Sequence, residues 1–356
     1  MNWYSNWVKS VYVTPEALKL ASCKRALKKF SSYQIVPDAR AIPATALNQH
    51  TLFITSSRGQ TVGKCPGSRG HLCCNYITVD LYLGCFLGCS YCIMKSYLNF
   101  SPLTVYADPR PSIETLRQLA IANPSNTIRV GTGETGDSLL LDPIFELSRE
   151  FIEGLADLPN VYLELKTKTH FVNHLLSISS KGNAIIGFSL NALKIQKNEE
   201  LYSASMEDRI QAANKVALAG YGIAFHFDPI IHFPGWEEEY AKTIALLEKV
   251  PTHKIRWISL GTMRYTPALR DSLEDRPYLF EEFVLCRDGK YRYLQPLRIH
   301  IYRWFLDKLK AITPAPVYLC MESIDVWKKV FGEHPMNNEK LRGILKVPKP
   351  LEGWRW

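Results

Sequence analysis

No apolar run in this 356-residue chain reaches the roughly 18 residues that a membrane-spanning helix needs, so no membrane association is expected. The first ten residues, MNWYSNWVKS, lack the basic-then-apolar order of an export signal. Paired C-x2-C or C/H groups of the kind that hold tetrahedral zinc are missing downstream of the main cysteine motif. An even cysteine complement is missing as well. Nine cysteines, three of them crowded into one short stretch, argue against a disulfide framework and for the reducing cytoplasm. There is no excess or shortage of charge: 22% charged and 46% hydrophobic residues fit an ordinary globular protein. The formal net charge of +9 is compatible with a nucleic acid or an acidic substrate and requires neither. The length suits one large domain, or one with a small appendage.

What is present is a dense thiol motif. Cys85-Phe86-Leu87-Gly88-Cys89-Ser90-Tyr91-Cys92 places three cysteines in a C-x3-C-x2-C spacing. Thiolates this close together wrap one face of a metal centre without long-range folding. A cubane [4Fe–4S] cluster has four irons to ligate, so Cys85, Cys89 and Cys92 leave one iron open to chelate a small molecule. The preceding stretch Tyr76–Leu83 is rich in β-branched and aromatic residues and reads as a buried strand. A second cysteine group, Cys65, Cys73 and Cys74 with His71, is spaced poorly for zinc. It reads as loop thiols beside the strand or as redox groups.

From about Tyr76 to Glu322 the chain alternates strands and helices. Strands are expected at Ile77–Leu83, Ile128–Gly131, Val161–Lys166, Ala184–Ser189, Gly222–Phe227 and Ile255–Leu260. Helices are expected at Ser112–Ile121, Pro143–Leu155, Phe171–Ile178, Met206–Ala219 and Glu237–Lys249. This alternation predicts βαβ units and a parallel sheet or barrel. The fold class is therefore α/β, with residues 1–75 as an N-terminal appendage and 331–356 as a C-terminal tail. In the appendage, Pro15–Phe30 has helical spacing with Thr14 as N-cap, and short strands are expected at Tyr33–Val36 and Thr51–Thr55. Chemistry in such barrels sits at the C-terminal strand ends. The polar groups there are Gly131-Thr132-Gly133-Glu134, Lys168, Ser189 with Asn191, and His226 with Asp228.

The cysteine spacing, with the aromatic Tyr91 just before the last thiol, resembles the radical S-adenosylmethionine (SAM) superfamily. The resemblance implies a partial (β/α)6 barrel over residues 76–330. It also implies a [4Fe–4S] cluster on Cys85, Cys89 and Cys92, and S-adenosyl-L-methionine on the open iron. Reductive cleavage of SAM would then yield a 5′-deoxyadenosyl radical. Gly131, Thr132, Gly133 and Glu134 resemble the segment that meets the SAM amino group. Lys168 would neutralise its carboxylate, and Ser189 and Asn191 would face its ribose or methionine.

Further stretches are similar to spore photoproduct lyases, which reverse a thymine photolesion in DNA. They are Phe171–Leu176, Phe188-Ser189-Leu190-Asn191-Ala192, Asp208–Ala213 through Ala219-Gly220-Tyr221, and Pro229–His232 with Gly235-Trp236-Glu237-Glu238. Two positions depart from that pattern. Glu134 stands where the lyases carry a thiol that returns a hydrogen atom to the substrate. Ile93 stands where they carry a second tyrosine. Cys320, Cys65, Cys73 and Cys74 are candidate replacements for the thiol, and Tyr91 and Cys320 are the candidate catalytic residues. Leu285–Tyr293 reads as a β-hairpin within residues 284–294, turning at Asp288-Gly289. Its Arg287, Lys290, Tyr291 and Arg292 are candidate DNA contacts, and Arg264 and Tyr265 are expected to add to the same surface. The expected function is a carbon–carbon lyase repairing DNA, with flavodoxin or ferredoxin as electron donor. The alternatives are a radical SAM enzyme on a non-nucleic-acid substrate and a non-catalytic Fe–S or zinc nucleic-acid-binding module.

Overall fold

Ile185–Ser189 is apolar until its last residue and is buried until that residue. A strand with both faces covered belongs in the middle of a parallel sheet, and that is where it lies. The computed structural model describes residues 3–56, 61–67, 70–72, 74, 76–273, 276, 278 and 282–332. Its main sheet has eight strands, in the spatial order Val317–Leu319, Ile255–Thr262, Gly222–Ile230, Ile185–Ser189, Val161–Thr167, Ile128–Thr132, Ile77–Val79 and Val62–Lys64. Seven run parallel, and only Val62–Lys64 pairs antiparallel, with Ile77–Val79. The sheet curls into an open half-barrel. Near its two ends a single bond, Leu72 N–H to Glu322 C=O at 3.0 Å, crosses the seam.

All six expected strands fall in this sheet. Val317–Leu319 is an additional parallel strand that three residues could not announce. The expected strand Ile77–Leu83 is corrected: it breaks after Val79. Tyr82–Leu83 instead pairs antiparallel with Leu103–Tyr106 in a second, five-stranded sheet. That sheet also holds Gln34–Ile35, Ser10–Val13 and Thr51–Thr55 from the N-terminal part of the chain.

Helices cover the convex face of the half-barrel. Met206–Leu218 starts where expected, with the Ser205 hydroxyl accepting from Asp208 N–H at 3.1 Å. Other expectations are corrected. Phe171–Ile178 contains only the single 3-10 turn Asn173–Leu175. Pro143–Leu155 is two helices, Asp142–Phe145 and Leu147–Leu155, separated by Glu146 in the left-handed region. Pro15–Phe30 is a 3-10 turn, Ala17–Lys19, and a short helix, Ala21–Leu27. Thr14 does not cap it, because its buried hydroxyl turns to Thr55 at 3.4 Å. In each case tertiary contacts override a local spacing signal.

The hairpin forms from Phe283–Leu285 and Tyr291–Tyr293, joined to Arg264–Tyr265 as a third strand. Its turn is longer than the expected two residues. Cys286 N–H bonds Lys290 C=O and Gly289 N–H bonds Cys286 C=O, both at 2.9 Å, with Gly289 left-handed. This is a three-residue loop ending in a glycine bulge. The described helices include none long and apolar enough to cross a membrane. The C-terminal residues 333–356 lie outside the described residues, as does Cys73.

Close backbone approach inside the barrel depends on Gly131. A Cβ there would sit 1.3 Å from the Tyr76 hydroxyl oxygen and 2.9 Å from Glu164 C=O. We expect Gly131→Ala to destabilise the fold by about 2–3 kcal/mol through overpacking, measured by urea unfolding. Gly63→Ala, whose Cβ would meet nothing nearer than 3.7 Å, should leave the midpoint unchanged.

Candidate functional site

A cleft of about 490 Å3 opens at the C-terminal ends of the parallel strands. It is lined by Cys85, Cys89 and Cys92 on one side and by Gly133–Asp137, Lys166, Lys168, Ser189, His226 and Asp228 along the strand ends. Residues spread over more than 140 positions of sequence thus share one cavity, because parallel strands all deliver their C-terminal ends to the same edge.

The cysteine loop is held by the segment that follows strand Ile185–Ser189. Cys89 forms a β-bridge with Glu200, Ser90 N–H bonds Glu199 C=O at 2.9 Å, and Tyr202 N–H bonds Leu87 C=O at 3.0 Å. Beneath the loop the Tyr91 hydroxyl donates to the Glu200 carboxylate. The Arg209 guanidinium also bonds Glu200, and Lys168 Nζ lies 3.8 Å away. Arg209 further donates to Ser189 C=O at 2.6 Å and Ala204 C=O at 3.0 Å. Burial alone would raise the Glu200 carboxyl. The charges of Arg209 and Lys168 and the hydrogen bond from Tyr91 outweigh it and hold the group at about 2.

The three thiols line one cleft, while among the described residues no three His, Cys, Asp or Glu side chains are gathered closely enough to hold a metal ion. Cys85 feels the charges of Cys89 and Cys92, and Cys89 feels that of Cys92, so they share one patch of the cleft. Burial pushes the Cys85 thiol well up and the Cys89 thiol to about 12. Thiolates there are favoured only with a cation to bear the charge. Three thiol donors would ligate three of the four irons of a [4Fe–4S] cluster.

Behind the cleft, Asp137 accepts from Lys168 N–H at 2.7 Å, Thr167 Oγ1 at 2.8 Å and Leu139 N–H at 3.0 Å. This fixes the turn that presents Gly133 and Glu134. Burial would depress the Lys166 ammonium, but Glu134 and Glu164 keep it charged, above its ordinary value. His226 is locked by Ser259 Oγ at 2.7 Å and Glu164 Oε1 at 2.6 Å. Burial opposes the ionised Glu164, and His226, Lys166 and Arg129 together hold it at about 2. Asp228 forms a two-point pair with Arg264, at 2.9 and 3.1 Å.

The cleft therefore gathers Cys85, Cys89, Cys92, Gly133, Glu134, Lys168 and Ser189 as the sequence suggested. It does not include Gly131, Thr132, Asn191 or Tyr91 in its lining. Thr132 turns to Ser138 at 2.7 Å. Asn191 is a buried cross-link, donating to Tyr91, Glu200 and Pro229 C=O and accepting from Tyr240 at 2.6 Å. Glu200, Asp137 and Lys166 escaped the sequence reading. Glu200 follows a helix as an ordinary acidic residue, and its partners lie as far as 109 positions away.

Cys320 sits at the barrel seam, beyond strand Val317–Leu319. Burial, then the charge of the Asp228 carboxylate, pushes its thiol well above its ordinary value. Cys65 and Cys74 lie close enough to act on it electrostatically.

On the hairpin, Arg287 is exposed. Arg292 is buried and bonds Asp288 at 2.7 Å, with Lys290 3.9 Å from the same carboxylate. Tyr291 stacks on Tyr265, centroids 5.3 Å apart. Arg264 and Tyr265 are likewise turned inward.

A half-barrel that carries a three-cysteine loop at its strand ends defines a radical SAM protein. The model of the family described as spore photoproduct lyase matches residues 71–277, more than half of the chain, and the chain belongs to that family. It is 30% identical over 176 residues to the spore photoproduct lyase of Bacillus subtilis (strain 168), covering 49% of this chain and 51% of that protein. It is 28% identical over 163 residues to the spore photoproduct lyase of Geobacillus sp. (strain Y412MC61), covering 46% and 48%. The chain spans about half the length of the curated relatives it matches. Among solved structures, spore photoproduct lyase complexed with dinucleoside spore photoproduct superposes with a TM-score of 0.75 at 22% identity, covering 88% of this chain and 98% of that one. A variant with bound AdoMet and dinucleoside spore photoproduct gives 0.74 at the same identity and coverage. These structures share the fold.

Glu200 generates the prediction for this site. Glu200→Gln leaves Arg209 and Lys168 facing a neutral group, and should cost about 3–5 kcal/mol in urea unfolding. The wild-type carboxyl titrates near 2 when folded, against an ordinary 4.5. Its stabilisation is therefore complete above pH 4.5 and is lost as pH falls toward 2. Thermal melts across that window should fall more steeply for wild type than for the variant.

Proposed function

We propose that this chain is a radical SAM lyase acting on a thymine photolesion in DNA, in the cytoplasm, with a low-potential flavodoxin or ferredoxin as electron donor. The observation that carries the reading is the cleft itself. Three thiols of one loop face Gly133–Asp137, Lys168 and Ser189 across a cavity of about 490 Å3, in a chain of the spore photoproduct lyase family. Relatives with that fold are described as complexed with AdoMet and with dinucleoside photoproduct.

Cys85, Cys89 and Cys92 would hold the [4Fe–4S] cluster. When bound, the cluster and SAM supply reductive cleavage of a carbon–sulfur bond, and with it hydrogen-atom abstraction. Lys168 places a cation where a carboxylate would lie, and Ser189 offers a hydroxyl. Gly133 brings backbone close to the ligand. Glu200 keeps the loop and Lys168 in register. Asn191, Gly131 and Thr132 act from beneath, shaping the strand ends, and Tyr91 positions the loop through Glu200.

Glu134 cannot act as a hydrogen-atom donor, because a carboxyl O–H bond is too strong. We assign that role to Cys320, which stands at the seam within electrostatic reach of Asp228 in the cleft wall. On the hairpin, Arg287 would meet phosphate, while exposed Val284 and Leu285 would wedge against a base step. Lys290, Tyr291 and Arg292 would stiffen the ribbon that presents them. Glu134 also supports a second reading, radical chemistry on a different substrate.

Iron-reconstituted protein, reduced anaerobically with dithionite and given SAM with UV-treated DNA, should form 5′-deoxyadenosine and consume the photoproduct, followed by mass spectrometry. Cys85→Ala should lose bound iron and both products. Cys320→Ala should keep SAM cleavage and lose photoproduct reversal at least tenfold. SAM cleavage with a persisting lesion would favour the second reading.

A further inference from the structure

At the opposite, N-terminal end of the parallel strands lies a second recess, of about 260 Å3. Thr127 and Arg129 enter it from the start of strand Ile128–Thr132, and Tyr162 from the neighbouring strand. His253, Arg256 and Trp257 enter from the start of strand Ile255–Thr262. Two arginines and a histidine line it, and no carboxylate does among the described residues. The recess is closed off from the chemistry above by the side chains that fill the barrel.

Arg129 is the informative residue. Its side chain is 1% exposed, and a guanidinium cannot shed its charge by losing a proton. Buried N–H groups of a cation need acceptors. Nη2 reaches the Tyr318 hydroxyl at 3.4 Å and comes within 3.7 Å of Glu164 Oε2. The guanidinium carbon stands 4.0 Å from the Trp257 ring centroid. Nε and Nη1 have no hydrogen-bond partner among the described residues. Glu164 Oε1 accepts from His226 at 2.6 Å and Trp257 Nε1 at 3.1 Å, and its Oε2 has no hydrogen-bond partner among the described residues. The pair is thus under-bonded on both sides, with two guanidinium donors left over beside a cavity that offers further positive charge.

We propose that this recess binds a small oxyanion of the phosphate class, held on Arg129 with Arg256 at its rim. A tetrahedral oxyanion supplies the acceptors that Nε and Nη1 lack, and guanidinium groups bind phosphate with directed, charge-assisted hydrogen bonds. The Thr127 hydroxyl adds a donor at the edge. The inference does not depend on the activity proposed above, since the recess shares no lining residue with the cleft.

Isothermal titration of the full chain with inorganic phosphate at constant ionic strength tests it. The expected result is saturable one-site binding, weakened about tenfold or more in Arg256→Ala. Arg256 is exposed, so its removal should leave the unfolding transition in place. Arg129→Lys should abolish binding, because a lysine cannot reproduce the guanidinium donors. Adenosine 5′-monophosphate, titrated alongside, distinguishes the source. Tighter binding than phosphate assigns the recess to a phosphomonoester, and weaker binding assigns it to the free ion. No saturable binding, or wild-type affinity in folded Arg256→Ala, overturns the proposal.

Discussion

The buried pair of Glu200 and Arg209 is the contact on which the rest of the site depends. Both side chains are fully excluded from solvent, and neither charge would be tolerable there alone. Glu200 receives Tyr91 from the cysteine loop, Arg209 from helix Met206–Leu218 and Lys168 from the end of strand Val161–Thr167. Arg209 in turn ties itself to Ser189 C=O, at the end of the next strand. One carboxylate thus sets the distance between the cysteine loop and two strand ends. A loop of three thiols has no hydrophobic core of its own, so its geometry must be imposed from outside.

A second polar network fills the barrel interior. Arg129, Glu164, His226, Trp257 and Ser259 come from four strands and are joined by contacts of 2.6 to 4.0 Å. Small residues make room for it. A Cβ on Gly187 would come within 3.0 Å of both Glu164 and His226. The network holds His226 in the cleft wall at one end and presents Arg129 to the basal recess at the other. A polar interior of this kind is costly unless its groups are paired, and Arg129 Nε and Nη1 and Glu164 Oε2 have no partner among the described residues.

Glu134 lines one wall of the cleft and gives Lys166 an acidic partner. The two ends of the sheet meet on another side, bringing Cys65, Cys74 and Cys320 within electrostatic reach of one another. Asp228 of the cleft lining acts electrostatically on Cys320.

The sequence alone determined the α/β alternation, all six expected strands and the three-thiol loop, because these follow from local periodicity and close spacing. It also set the strand-end positions Gly133, Glu134, Lys168 and Ser189, since a parallel sheet sends all such ends to one edge. Tertiary structure alone decided what those residues do. Asn191 and Tyr91 carry the right chemistry on the right segments, yet point into the Glu200 network, because side-chain direction at a strand end depends on neighbours roughly a hundred positions away. Arg292 reads as a DNA contact in sequence and is an internal ion pair in the fold, because Asp288 on the same turn reaches it first. The break after Val79, the extra strand Val317–Leu319 and the under-bonded Arg129 were likewise invisible. Each results from long-range pairing that no local pattern encodes.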